Sequence, residues 1–214
     1  MRAGQKMRTK DGQYEVCLFP FETMIISQGE NEGSHINAYI IDCVGYNGNN
    51  NYYAPVTLRC IDDSFDPTAN ARVYQSVGRV QLANGDIDYL CVLVGHDDNP
   101  PYNRGDVVVQ GELLGHTGNA GISTGAHCHL AIGQGVYQGF TRRGTWHYQG
   151  QDYPVVDFTN HIHCYDGFFK NDTDIIQGYG YSWVEYTGGI VPPHPTKRDK
   201  DKFPWVLYAN KLRS

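Results

Sequence analysis

Ser123-Thr124-Gly125-Ala126-His127-Cys128-His129-Leu130 is a small-residue turn running into a strand that carries two histidines one residue apart. Side chains at i and i+2 of a strand share a face. His127 and His129 therefore project together, while Cys128 and Leu130 turn the other way, into an apolar layer. Imidazoles about 6–7 Å apart along a strand can serve one metal ion, one as a ligand and one just outside the coordination shell. An isolated H-x-H pair is more often two half-buried histidines, so the rest of the chain has to supply the other groups.

Upstream, the apolar run Ile87–Val94 delivers His96 at its end, facing a loop, where catalytic groups commonly sit. Further upstream, Ala38–Val44 reads as a buried strand interrupted by one carboxylate, Asp42. A buried Asp is costly unless it is paired or bound to a metal. His35 stands close by, at the end of the polar loop Ser27–Ser34. Two histidines and a carboxylate suit a catalytic zinc ion with one position open for water. Two further histidines suit general acid–base work beside it.

The remaining chain reads as strands and turns. Phe19–Ile26, Ala54–Ile61, Arg72–Val77 paired with Val80–Leu82, and two short strands within Gly105–Gly115 are expected, with a tight turn at Asn84-Gly85. Gly (25) and Tyr (16) are abundant and no clear helix precedes residue 133. The expectation is a mostly β fold, an antiparallel sheet or sandwich with little helix. A net charge of −6 excludes a basic field for phosphates, and hence a nucleic-acid binder. No apolar run is long enough for a transmembrane helix. The basic start Met1–Arg8 is followed by no apolar h-region, so no secretory signal is expected. The six cysteines lack C-x-x-C spacing and read as reduced, buried hydrophobes of a protein made in reducing cytosol.

The order His35, Asp42, strand-end His96, then S-T-G-x-H-x-H over residues 123–129 resembles the lysostaphin-type zinc metallopeptidases, which cut the peptide bridges of bacterial cell walls. The resemblance covers roughly residues 17–133, and the loop Gly118-Asn119-Ala120-Gly121 fits it. Within that family the chain looks closest to peptidase domains of bacteriophage tail-tip lysins. That likeness is carried by Ser27-Gln28-Gly29, the His35…Asp42 spacing, Tyr53-Ala54-Pro55, Ala83–Tyr89 and Gly95-His96-Asp97-Asp98-Asn99. The resemblance implies a Zn²⁺ held by His35, Asp42 and His129, with His96 and His127 as the non-ligand catalytic pair. Many members have three residues between the first His and Asp, and this chain has six. The resemblance also implies hydrolysis of peptidoglycan peptides and other tail or virion proteins as partners. The location it implies is the phage tail tip, acting at the host wall. A free endolysin is the rival enzymatic reading, and a non-catalytic structural tail-tip protein the rival from another class.

Three parts are expected: an arm at 1–16, a metallopeptidase domain at 17–170, and an extension at 171–214 that docks on the domain or on a partner and is dispensable for zinc binding. His161/His163, a second H-x-H without a small-residue loop, reads as structural. His116 reads as a cleft-side residue, and His147 and His194 as surface residues. The aromatics at 137–153 and 179–186 read as packing rather than as a platform for wall sugars.

Overall fold

Cys128–Gln134 is an inner strand of the main sheet, paired with Ile40–Gly45 on one edge and Leu90–Gly95 on the other. Cys128, Leu130 and Ile132 enter the large core, and His129 and Ala131 face the opposite side. The structure is a computed structural model. It describes residues 1–189 apart from 36, 37, 65, 149, 150 and 157–159, and the backbone alone at 140–148 and 151–156. The linker Pro192–Pro195 with His194, the charge run Lys197–Lys202 and the apolar Phe203–Tyr208 lie outside the described residues, as do Phe158 and the His147 side chain.

The main sheet runs in the order Val107–Val108, Leu58–Asp62, Arg72–Ser76, Leu90–Gly95, Cys128–Gln134, Ile40–Gly45, Thr23–Gln28, Asp174–Ile175. Asn160–Ile162 pairs with the far end of Cys128–Gln134, on Ile132–Gln134. Every pairing within this sheet is antiparallel except Asp174–Ile175 on Thr23–Met24. The mostly β expectation holds. Among the described residues the helical turns are Cys164–Gly167 and the 3-10 turn Gly33–His35.

Leu90–Gly95 is buried along its whole length because it is an inner strand covered on both faces. Leu90, Val92 and Val94 join Ile41, Cys43, Cys128 and Leu130 in the large core. Cys91 and Leu93 join Ala71, Val73 and Ala131 on the other side.

Three local expectations change. Arg72–Ser76 does not pair with Val80–Gln81, because both of its edges are taken by Leu58–Asp62 and Leu90–Gly95. Val80–Gln81 instead pairs with Ile87–Asp88 across the Asn84-Gly85 turn, where Gly85 has φ 92°, and on its other edge with Glu15–Val16 in parallel. The single strand expected over Ile87–Val94 is two strands in two sheets. It breaks at Tyr89, whose backbone N–H is diverted to the Asp88 carboxylate at 2.8 Å. The strand expected from Phe19 starts at Thr23, after Pro20 has removed a ladder donor.

All six cysteines are free and buried. Burial pushes each thiol up, Cys60 and Cys91 to about 12, which suppresses the reactive thiolate. Alkylation without reductant should therefore add six adducts to the unfolded chain and far fewer, over the same minutes, to the native one. Fewer than six after unfolding would mean disulfides, and the mass spectrum reads this directly.

Candidate metal centre

Asp42 and His129 are directly opposite each other on neighbouring antiparallel strands, so their side chains leave the same face side by side. Their contact, His129 Nδ1 to Asp42 Oδ1, is 3.0 Å. His35 comes from the 3-10 turn Gly33–His35, entered through Gly33 at φ 51°. Its Nδ1 lies 3.2 Å from the Gly29 carbonyl oxygen. A proton on Nδ1, donated to that carbonyl, leaves Nε2 bare, 3.4 Å from Asp42 Oδ1. Three donors from three segments thus converge, and they form one of the two groups of side chains that could hold a cation among the described residues. The six-residue spacing between His35 and Asp42 does not prevent their meeting.

His96 and His127 stand beside His129, with their own ring centroids 4.4 Å apart. His96 ends its strand in the left-handed region, φ 73°, an arrangement that costs of order 1–3 kcal/mol for a non-glycine residue. The local hydrogen bonding imposes it. His96 N–H donates to Ala69 O at 2.7 Å, Ala120 N–H donates to His96 O at 3.1 Å, and His96 Nδ1 sits 2.7 Å from Ala120 O. His127 is tied to Gly118 by two backbone hydrogen bonds. Its Nδ1 is 2.7 Å from Gly125 O, and its Nε2 is 3.6 Å from Asp42 Oδ1. For both rings the carbonyl at Nδ1 selects the Nδ1–H tautomer and leaves the Nε2 lone pair for the cleft. His96, His127 and His129 form the second possible cation-holding group, sharing His129 with the first.

Burial pushes the Asp42 carboxyl up, but the His129 and His35 rings against it together outweigh burial and hold the group well below the usual carboxylate range. Asp42 therefore favours its anionic form. Burial pushes His129 down against the pull of Asp42. Burial, then the charge of His129, pushes His96 down. Both imidazoles favour their neutral, electron-donating form.

All five residues singled out in the sequence come together here. The other histidines whose side chains are described do not. His116 is exposed, its Nδ1 3.8 Å from Asp97 Oδ2. His163 pairs with the Glu30 carboxylate and stacks on Tyr165. Tyr179, Tyr181 and Trp183 pack against the large core.

The sequence reading missed the groups that aim the rings: the carbonyls of Gly29, Ala120 and Gly125, which carry no sequence signal. Asp97, which the sequence offers only as one residue of the stretch Gly95–Asn99 and with no role, is buried and accepts from the backbone N–H of His116 at 2.7 Å and of Asn99 at 2.8 Å. A carboxylate immediately after a strand-end histidine was its only trace. Gly118 was read as part of the motif loop, and its reason is steric. A Cβ there would stand 2.6 Å from Asp98 N and closer still to the His96 carbonyl oxygen. Gly118→Ala should push the Ala120 loop off His96 and cost at least tenfold in any activity that uses His96, while the metal-holding trio is kept. Turnover measured beside metal content checks this, and unchanged turnover would refute it.

The order of the motif, the mostly antiparallel sheet and the His/Asp cluster at its centre resemble the lysostaphin-type metallopeptidases. Among curated proteins the chain is similar to "Morphogenesis protein 1" of Bacillus phage B103. The two are 32% identical over 192 residues, 88% of this chain and 50% of that protein. The chain thus spans about half the length of the curated relative it matches. No protein-family model matches. Matched solved structures include a zinc-containing peptidase from Vibrio cholerae, with 15% identity, 72% of this chain, 46% of that one and TM-score 0.40. Csd3 from Helicobacter pylori matches with 17% identity, 56% of this chain, 33% of that one and TM-score 0.36. The deep-sea M23 metalloprotease pseudoalterin matches with 16% identity, 66% of this chain, 98% of that one and TM-score 0.37. No helix among the described residues is long and apolar enough to cross a membrane.

Proposed function

We propose that the chain is a zinc-dependent endopeptidase that hydrolyses peptide bonds of bacterial peptidoglycan, carried on a phage particle to open the host wall. The observation that carries this reading is the convergence of His35 Nε2, Asp42 Oδ1 and His129 Nδ1 beside two more histidines whose Nδ1 atoms lie on backbone carbonyls. The donor set fits zinc. Ligands of a tetrahedral zinc at about 2.0–2.1 Å stand roughly 3.3 Å from one another, and the Asp42 contacts to His35 and His129 are 3.4 and 3.0 Å. One carboxylate and two neutral imidazoles are also the ligand types zinc takes in open, catalytic sites. His35, Asp42 and His129 would hold the ion, whose contribution when bound is Lewis acidity and a lowered pKa for water.

The protein groups then divide the proton work. A neutral Nε2 of His96 or His127 takes the proton of the attacking water. The resulting imidazolium, held by its carbonyl partner at Nδ1, stabilises the oxyanion that develops on the scissile carbonyl. It next returns the proton to the leaving amine. The phage relative and the absence of a basic field support a virion protein whose substrate is wall peptide and whose partners are other tail proteins.

The test is incubation of the protein with purified peptidoglycan from several wall types, followed by mass spectrometry of the released fragments. New amino termini that disappear with chelator and return with Zn²⁺ are expected. A zinc-loaded chain that releases nothing from any wall would leave the non-catalytic structural reading in place. Copurification with virions separates the particle-borne enzyme from a free endolysin.

A further inference from the structure

The polar loop that aims His35 is covered by a segment remote in sequence. Tyr179 and Tyr181 lie over Gly29 so closely that a Cβ on Gly29 would stand 2.8 Å from Tyr179 Cγ and 3.0 Å from the Tyr181 hydroxyl oxygen. The Glu30 backbone N–H donates to the Tyr181 hydroxyl. The Tyr179 hydroxyl donates to Ser27 O at 3.1 Å. From below, the buried Glu30 carboxylate receives the Cys164 backbone N–H at 3.2 Å and pairs with His163. The Tyr181 ring stacks on Tyr165 at 5.3 Å, and Tyr165 stacks on His163 at 4.8 Å. At the other end Trp183 meets Phe19 of the core edge-on at 5.0 Å.

The backbone of this strap is strained. Tyr179 has φ 46°, while Gly180, with no Cβ, takes φ 79° freely. A bulky residue in the left-handed region persists only where its surroundings over-determine it. Here the ring over Gly29 and the hydroxyl on Ser27 do so.

The consequence runs through one peptide. Gly29 O is the acceptor that orients His35 Nδ1. Whatever fixes the Gly29–Glu30 backbone therefore fixes the direction of His35 Nε2 toward Asp42. We infer that Tyr179 and Tyr181 are positioning residues for the metal-holding His35, acting through the Gly29 carbonyl. The segment after 170, expected from sequence to be dispensable for zinc binding, is then part of the support of the site. This inference rests on the proposed zinc site.

The test uses the full chain and Zn²⁺, with zinc retention measured by chelator competition beside the melting temperature of the metal-free protein. Tyr181→Phe keeps the ring stack and removes only the hydroxyl that holds Glu30 N–H. Tyr179→Phe likewise frees Ser27 O. Trp183→Phe, at the core end of the strap, is the stability control. Loss of a group that orients a ligand typically weakens metal binding about 10–100-fold. Tyr181→Phe is expected to lower zinc affinity about 10-fold, and Tyr179→Phe by a smaller factor. Trp183→Phe should lower the melting temperature with zinc affinity unchanged. If Tyr181→Phe and Tyr179→Phe hold zinc as the parent does, or lose it only in proportion to their melting temperature as Trp183→Phe does, the strap is structural and the inference fails alone. If the parent chain takes up no zinc, the inference and the proposed function fail together.

Discussion

Asp42→Ala should leave the protein without metal, falling from about one bound zinc per chain to essentially none. A three-ligand site that loses its only anion no longer encloses the ion. Asp42 is the hub. Its Oδ1 is 3.0 Å from His129, 3.4 Å from His35 and 3.6 Å from His127, and no other carboxylate among the described residues belongs to either candidate cation group. Asp42→Asn, which keeps the shape, should lose metal nearly as completely, because the charge rather than the volume is at issue. His129→Ala and His35→Ala should follow it. Metal analysis of dialysed protein is the measurement. The alternative trio of His96, His127 and His129 makes the opposite forecast: His35→Ala would keep its metal and His96→Ala would lose it.

His96→Ala and His127→Ala should each keep near-stoichiometric zinc and lose wall cleavage by about 10²–10⁴-fold, the usual worth of a positioned acid or base. Both rings have Nδ1 on a carbonyl and neither belongs to the His35, Asp42, His129 group, so removing either takes away a proton carrier without taking away a ligand. The acid side of the pH profile carries a further sign. His96 is pushed below the ordinary histidine value by burial and by His129, so its neutral form survives to lower pH than that of a free imidazole. Activity that depends on neutral His96 is then retained as pH falls through about 6.5, the ordinary histidine value, and is lost only below it. Activity and bound zinc measured across pH 4–8 on the same samples check this. A loss of turnover centred above 6.5 with zinc retained would contradict the assignment.

The central motif was legible because its information is local. The alternation of His127, Cys128, His129 and Leu130 follows from strand geometry alone, and it correctly sent Cys128 and Leu130 into the core. Asp42 stood out because a carboxylate in an apolar strand needs a partner wherever that strand lies. The strand boundaries were less legible. Tyr89 breaks a run that looks continuous because a neighbouring side chain captures its N–H, and Arg72–Ser76 refuses its sequence neighbour because both its edges are occupied elsewhere.

Residue types and periodicity by themselves determined the mostly β class, the face on which His127 and His129 stand, the burial of the six cysteines and the five candidate residues. Only the tertiary structure decided which atoms meet. Asp42 faces His129 because two strands, 87 positions apart at this pair, adopt one register out of several that alternation allows. His96 reaches the pair because Leu90–Gly95 flanks Cys128–Gln134 on its other edge. Gly29, Ala120 and Gly125 act through carbonyl oxygens, which every residue possesses, and Tyr179 and Tyr181 act on a loop about 150 positions away. Alternation is set by bonded neighbours and is written in the chain. Strand order, register and backbone acceptors are set by the packing of distant segments, and they exist only once the core has formed.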